Sequence, residues 1–351
     1  MRYNSGLYFR ACSFVGNYVL IFPFVSFKRQ CQLNNNSVRY HITPITAAPM
    51  LFNYFLSLQN GPLILRGVSS FFLWRASSVV AENLLKASLS LSDEITCFSF
   101  DQMASHLLLK SLAILITSPF YIVHLIDSVK SESTSLSELA ILIKDTFQRI
   151  FTGRTVIRSN LLFQSSIAKE VSASVRMLRP MPYFYIVPLA SGMLLGMHVA
   201  RSLLLHLLFK PLCSRMWISY KHRYNLSTKD DDTVQITRKN KIWYPFFVDM
   251  CASILSDGIV ACIFYPLDTL ICRLAAQGCR VIIDDTDHGV GVLPVATYYE
   301  SLNQCAQSVF NNEAVGGFFK GFGYLTLQIA AQAGFVYYSQ RFLIHILDKL
   351  E

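Results

Sequence analysis

The chain has 351 residues, of which 52% are hydrophobic and 15% are charged, with a formal net charge of +9. An ordinary soluble protein has about 25% charged residues, so this composition indicates a membrane protein. The positive charge is typical of basic loops that face anionic lipid headgroups. A nucleic-acid-binding protein would need a clustered basic face interleaved with aromatic residues, and the sequence contains no such cluster.

Six apolar segments can each supply the roughly 20 residues that a helix needs to span a bilayer. They lie at residues 6–27, 63–90, 103–126, 183–213, 243–274 and 317–347. The first segment is preceded and interrupted by Arg2 and Arg10, a pattern also found in secretory signals. Bulky residues stand where a small-residue cleavage site would be, so we expect a retained first membrane helix.

The stretch from Pro266 to Gly321 carries the most informative pattern. Pro266-Leu267-Asp268 lies near the end of an apolar segment and is followed by Arg273 and Leu274. A loop, a short amphipathic run at residues 299–310 and the element Glu313 to Gly321, which includes Lys320, come next. A proline removes a backbone hydrogen bond and kinks a helix. The stretch therefore predicts two membrane helices joined by a short interfacial helix.

Two earlier stretches are weaker copies of this pattern, as expected of an internal repeat. The first has Pro23 and Lys28, an apolar run at residues 50–58, and Arg66-Gly67. The second has Pro119 late in an apolar segment and an amphipathic run at residues 136–151.

The three copies resemble the signature of the mitochondrial carrier family, solute carrier family 25. That resemblance implies an all-α membrane protein with six transmembrane helices in three pseudo-repeated hairpins. The chain then divides into degenerate repeats at residues 1–96 and 97–214, a hydrophilic loop at 215–242 and a third repeat at 243–351.

Transporting members of the family close a gate with three acids and three bases, one pair for each repeat. Here the three acidic positions hold Val25, Tyr121 and Asp268, and the three basic positions hold Lys28, His124 and Ile271. At most one pair, Lys28 with Asp268, can form from these residues. The inventory favours a protein without ordinary solute transport. Pro266, Asp268, Arg273 and Leu274 then either shape the helix hairpin or form a site for a partner or a lipid.

Several polar residues stand inside the predicted membrane segments, where they are costly unless they face a bundle interior. Asp257 is either a hydrogen-bonded packing residue or part of a polar cavity. In a transporter, the substrate would be held by residues such as Arg75, His198, Arg201 and Gln332; the alternative is snorkelling or interhelical hydrogen bonding.

The acidic loop at residues 282–289 contains Asp284, Asp285 and Asp287. It lacks the twelve-residue calcium-loop pattern, so we expect a solvated acidic turn or a docking surface for a basic partner. The nine cysteines form no CxxC pair, and no Ser-His-Asp grouping, phosphate loop or HExxH sequence is evident. We expect no metal, no cofactor and no enzymatic activity.

One branch of the family matches most closely, through residues 265–269, 273–274, 277–278, 282–287, 292–294 and 318–323. The resemblance implies a multi-pass protein of the outer mitochondrial membrane that regulates mitochondrial fission and fusion, cristae organisation and lipid homeostasis. Its expected partners are membrane lipids and the fusion, fission and cristae-organising proteins, with no small-molecule substrate. Members of that branch carry a longer polar N-terminal region, whereas this sequence starts almost at its first predicted helix, so the resemblance leaves the roles of that region open. The alternative is an inner-membrane solute carrier with a degenerate gate.

Overall fold

The structure is a computed structural model that describes residues 21–56, 67–89, 100–131, 135–152, 183–209, 211–212, 215, 232–277, 281–287, 291–295 and 297–349. The described residues form helices and one short hairpin. In chain order the elements are α1 (Phe22–Leu33), α2 (Pro44–Leu56), α3 (Val68–Leu89), α4 (Phe100–Val129), α5 (Leu136–Thr152), α6 (Tyr183–Leu203), α7 (Asp232–Ala276), β1 (Ile282–Asp284), β2 (Val292–Pro294), α8 (Leu302–Glu313) and α9 (Phe322–Lys349).

Three helical segments in the described part of the chain are long and apolar enough to cross a membrane. They are Ala104–Val129, Tyr185–Phe209 and Met250–Ala276. The first two belong to α4 and to α6 with its π-helical continuation Leu204–Phe209, and the third belongs to α7. The largely helical membrane character is therefore confirmed, while the six-helix layout in three repeats stays an expectation. Residues 6–20 of the first predicted segment lie outside the described residues.

The hydrophilic stretch before the third repeat differs from its prediction. Helix α7 begins at Asp232, so the second part of the predicted loop at residues 215–242 is helical. No glycine or proline stands between Asp232 and Tyr244, so no residue there disfavours the helix. Polar composition identifies a solvated segment, but it does not separate a loop from a solvated helix.

Two compact units are present, and their borders do not follow the predicted repeats. The large unit comprises residues 22–196 and 265–324, and the small unit comprises residues 1–21, 197–264 and 325–351.

In the large unit, α3 packs along α4 through aromatic side chains. The Trp74 ring stacks on His124 with centroids 5.9 Å apart and lies 5.1 Å from the Tyr121 ring. An ion pair joins the same two helices, since Lys110 Nζ lies 2.7 Å from Glu82 Oε2. Aromatic stacking adds to the burial of the apolar rings. These contacts fix α4, and with it Tyr121, relative to α3.

Two glycines begin helices at corresponding places in the first and third copies of the motif. Gly67 and Gly321 have φ angles of +70° and +78°, and they precede α3 and α9. A Cβ atom on Gly67 would lie 3.0 Å from Ser128 Cα, and one on Gly321 would lie 3.0 Å from the Lys28 carbonyl oxygen. Both positions need glycine because the backbone is left-handed and because another helix approaches closely.

We predict that Gly321→Ala destabilises the protein, while Gly334→Ala does not. Alanine at 321 must adopt a left-handed φ, which costs about 1–3 kcal/mol, and must also push away α1. Gly334 lies within α9 with no atom within 4 Å of an added Cβ, so alanine there should stabilise by about 0.5–1 kcal/mol. Thermal unfolding of both variants in detergent measures the difference, and equal melting temperatures would contradict the role given to Gly321.

Candidate functional site

The site is built where α1 crosses the C-terminal part of α7. Helix α1 carries Lys28, Arg29 and Gln32 within about one turn, and α7 carries Asp268. Gln32, Arg29 and Asp268 expose 0%, 6% and 8% of their surface. Buried charges are costly unless they are paired and hydrogen-bonded, so the partners of these side chains decide whether this region is stable. We call Lys28, Arg29, Gln32, Tyr121 and Asp268 the Asp268 cluster.

The Asp268 carboxylate accepts hydrogen bonds from three side chains of α1. Arg29 Nη1 donates to Oδ1 over 2.7 Å, Lys28 Nζ donates to Oδ2 over 3.1 Å, and Gln32 Nε2 donates to Oδ2 over 3.4 Å. Charge-assisted hydrogen bonds of this kind are the strong ones. One carboxylate therefore holds two neighbouring cations of the same helix.

Tyr121 on α4 supplies a neutral partner where a transporting carrier has an acid. Arg29 Nη2 donates to the Tyr121 hydroxyl over 3.3 Å. With two cations and one carboxylate, the cluster retains an excess positive charge. Burial lowers the pKa of Lys28, and the neighbouring Asp268 carboxylate partly offsets this effect. Asp268 is thus the group that most favours the charged form of Lys28.

The sequence pointed to Lys28 as the partner of Asp268 but missed Arg29. The family motif places no functional role on the residue after the basic position, so the pattern alone did not mark it. A buried cation opposite a tyrosine becomes visible once the helices are packed. At the other two basic positions, His124 Nδ1 lies 3.3 Å from Ser70 Oγ, and Ile271 is fully buried. Neither His124 nor Ile271 therefore forms an ion pair of the kind that closes the gate of a transporting carrier.

A second cluster, Arg273 with Glu313 and Lys320, lies within the third repeat. Arg273 donates to both oxygens of Glu313, with Nη1 and Nη2 at 2.9 Å and 2.7 Å, and Lys320 Nζ lies 3.0 Å from Oε2. The side chains expose 2%, 3% and 0% of their surface for Arg273, Glu313 and Lys320. We call these three residues the Glu313 cluster.

The Glu313 cluster also reaches the first repeat through backbone carbonyls. Arg273 Nε donates to the Gln32 carbonyl over 2.9 Å, and Lys320 Nζ donates to the Asn34 carbonyl over 2.7 Å. The Gln32 carbonyl lies in the last turn of α1 and the Asn34 carbonyl just after it, where helical partners run out. The sequence pattern marked Arg273 and Lys320 as candidate residues, whereas it placed Glu313 in the repeat element without giving it a role.

The acidic loop is a β-hairpin rather than a simple turn. Strand β1 pairs antiparallel with β2, with Ile283 opposite Leu293. Val281 and Ile283 are buried while Ile282 is exposed, the alternation of a strand with one buried face. The hairpin forms because β-branched residues flank a turn that is rich in aspartate.

The three aspartates of the loop act within the protein. Asp284 Oδ2 accepts from Gln30 Nε2 over 3.1 Å, and Asp287 accepts from the backbone N–H groups of Val38 and Arg39 over 2.8 and 2.9 Å. Asp285 Oδ1 accepts from the Asp287 N–H. Docking of a basic partner at these residues stays a prediction.

In the small unit, two of the polar residues predicted inside the membrane form a pair. Arg201 Nε lies 2.7 Å from Asp257 Oδ1, and Arg201 Nη2 donates to Ser253 Oγ over 2.8 Å. Their side chains are 46% and 48% exposed. Gly258 packs closely, since an added Cβ would lie 2.9 Å from Ile329. Asp257 is therefore paired with Arg201, and this pair is compatible with both a packing role and a polar cavity.

The remaining candidates are placed on separate helices. Arg75 is exposed on α3, His198 is partly buried on α6, and Gln332 is 8% exposed on α9. Pro23 lies in the first turn of α1, a position that tolerates proline. Pro119 and Pro266 lie within α4 and α7, and Leu274 is buried.

Comparison with known proteins relates the third repeat to a known family. Residues 242–347 match the family model described as mitochondrial carrier protein. This part of the chain is similar to mitochondrial carrier proteins. The carrier resemblance expected from the sequence is thereby confirmed, and it covers most of α7, the hairpin, α8 and most of α9.

Relatives extend the similarity beyond the carrier domain. The chain is 29% identical over 318 residues to the mitochondrial outer membrane protein SLC25A46 of Homo sapiens, covering 90% of this chain and 68% of that protein. It is also 29% identical over 323 residues to the protein of the same name in Danio rerio, covering 90% and 72%. The Gallus gallus protein is 29% identical over 315 residues, covering 88% and 69%.

We predict that Glu313→Gln strongly destabilises the protein, whereas Glu300→Gln does not. The amide keeps the size of the side chain but leaves two buried cations, Arg273 and Lys320, without a counter-charge. Removing one partner of a buried ion pair costs about 3–5 kcal/mol. Glu300 is an exposed carboxylate of the same repeat, and its change should stay within about 0.5 kcal/mol. Thermal unfolding and steady-state abundance measure both, and a Glu313→Gln variant as stable as the control would refute this account.

Proposed function

We propose that this chain is a carrier-fold membrane protein that does not transport solutes and acts as an adaptor in the outer mitochondrial membrane. In this proposal six transmembrane helices form three hairpins, and partner proteins and membrane lipids bind their surfaces. The adaptor regulates mitochondrial fission and fusion, cristae organisation and lipid homeostasis. It has no enzymatic activity, cofactor or small-molecule substrate.

The Asp268 cluster is the observation that carries the proposal. A transporting gate opens and closes because each repeat contributes an acid and a base that exchange partners between neighbouring helices. Here a single carboxylate serves Lys28 and Arg29, and a tyrosine hydroxyl takes the next acidic position. Opening this end would leave a buried carboxylate and two cations unpaired, which costs several kcal/mol. Among the described residues, no second set of ion pairs is available to compensate for the contacts that opening would break.

The names of the relatives support the location. The human, chicken and zebrafish proteins are each named a mitochondrial outer membrane protein. The outer membrane passes small solutes freely through large barrels, so a carrier fold there has no gradient of small metabolites to use. A fold retained without its gate is then best explained by its surfaces, which can bind lipids and proteins.

A reconstitution experiment tests the absence of transport. We expect purified protein in lipid vesicles to give no saturable uptake of nucleotides, carboxylates or phosphate above that of protein-free vesicles. A transporting member of the family, reconstituted by the same procedure, is the positive control. The proposal would be overturned if the wild-type protein gave saturable uptake and the Asp268→Asn variant of the Asp268 cluster did not.

The intramembrane Arg201–Asp257 pair favours a second candidate, an inner-membrane solute carrier with a degenerate gate. Ionisable residues inside a membrane segment often mark a substrate pathway, and this pair is half exposed. Protease treatment of intact mitochondria separates the two candidates at the basic stretch of residues 215–241. Cleavage without rupture of the outer membrane supports the adaptor, and cleavage only after rupture supports the carrier.

Rescue of mitochondrial shape adds a functional test. Cells that lack the protein should regain a normal network with wild type and equally with Arg75→Gln, because the proposal gives the protein no solute for Arg75, exposed on α3, to bind. Loss of rescue by Arg75→Gln at normal abundance would favour the carrier.

A further inference from the structure

The hairpin, whose described residues are 281–287 and 291–295, forms several hydrogen bonds to the first repeat. Besides the bonds of Asp284 and Asp287 described above, Thr286 binds the segment that follows α1. Asn34 Nδ2 donates to Thr286 Oγ1 over 3.0 Å, and His41 Nε2 lies 2.8 Å from the Thr286 carbonyl oxygen. Thr286 is 1% exposed and His41 is 4% exposed, so these bonds are shielded from water.

The same hairpin also binds the second repeat. The Ser131 N–H donates to the Ile282 carbonyl over 2.8 Å, and Ser131 Oγ donates to Asp284 Oδ1. Ser131 lies two residues after the last residue of α4. Asp284 thus accepts from Gln30 of the first repeat with one oxygen and from Ser131 of the second repeat with the other. One carboxylate of the third repeat joins all three repeats.

The hairpin and Asp268 both bind the C-terminal end of α1, through residues that are neighbours in the sequence. Lys28, Arg29 and Gln32 of α1 bind Asp268, whereas Gln30 and Asn34 bind the hairpin. Both sets hold the C-terminal half of α1 against the third repeat. The Asp268 cluster by itself has one acid for two cations. The hairpin contacts to the same part of the chain therefore add stabilisation that the missing ion pairs would otherwise provide.

We infer that the hairpin is a clasp that locks this end of the protein shut, in place of the missing ring of ion pairs. Release of Asp284, Thr286 and Asp287 should free α1 and expose the Asp268 cluster. This deepens the proposed function, because a locked end explains how the protein keeps one conformation for its partners. Its test does not measure transport or location, so its failure is distinguishable from failure of the proposal.

Three native cysteines report on the clasp. Cys31 contacts Thr286 and is 2% exposed, and Cys272, one turn after Asp268, is fully buried. Cys305 of α8 is also fully buried but has no bond to the hairpin among the described contacts. Burial raises the pKa of both Cys31 and Cys305 to about 12. Because the thiolate is the reactive form, each should react slowly unless it becomes exposed, which makes Cys305 a matched control for Cys31.

The experiment labels the full-length protein in membranes with N-ethylmaleimide and maps each modified cysteine by mass spectrometry over time. The clasp variant is Asp284→Ala with Asp287→Ala, and Thr286→Val is a milder second variant. The control is Glu300→Ala, which removes an exposed carboxylate of the same repeat. We expect Cys31 and Cys272 to react about tenfold faster or more in the clasp variant, the change expected from the loss of a buried hydrogen-bond partner, and Cys305 to react at its wild-type rate.

Three other results would overturn the inference. Faster labelling of Cys31 alone would show that the hairpin covers α1 without holding the end closed. A common increase at Cys31, Cys272 and Cys305 in both the double variant and Thr286→Val would show general loosening of the fold. Unchanged labelling of Cys31 in both variants would show that the hairpin does not clasp α1.

Discussion

The structure depends on a single buried carboxylate. Asp268 accepts hydrogen bonds from Lys28, Arg29 and Gln32, which lie on a helix more than two hundred residues earlier in the chain. Burying a charge costs several kcal/mol unless partners replace its water. All three partners lie on α1. The desolvation cost of Asp268 is therefore offset only when α1 packs against this part of α7. The carboxylate thereby fixes the relation between the first and third repeats.

The Glu313 cluster and the glycine junctions complete the same arrangement. Arg273 and Lys320 neutralise Glu313 and then donate to carbonyls that α1 leaves unpaired at its end. Gly321 lets α9 begin directly against Lys28. Each contact would be weak evidence of stability alone. Together they satisfy almost every charged group that the contact between α1 and the third repeat buries, which is the condition for burying charge at all.

A gate and a lock differ in how their charges are matched. A gate needs matched pairs that can separate at similar cost on each of its helices, so that closing and opening are both accessible. This protein concentrates its charge on one carboxylate, replaces a second with Tyr121, and adds hairpin contacts from Asp284 and Thr286. Such an arrangement stabilises one state. In the proposed adaptor, a single stable state suits surfaces that bind proteins and lipids, whereas a transporter must change its state.

The sequence by itself determined the apolar segments, the repeated proline and glycine positions and the loss of two acids, because local composition and spacing encode these features. It also placed Asp268, Arg273 and Lys320 in one motif. It could not determine that Arg29 shares Asp268, that Glu313 binds both Arg273 and Lys320, or that an acidic loop becomes a hairpin. Arg29 and Asp268 lie 239 positions apart in the chain, and buried charges find their partners only when the helices have packed. The hairpin was missed because its acidic composition suggested a turn. Polarity likewise left the start of α7 undecided, since a solvated helix and a loop share the same composition.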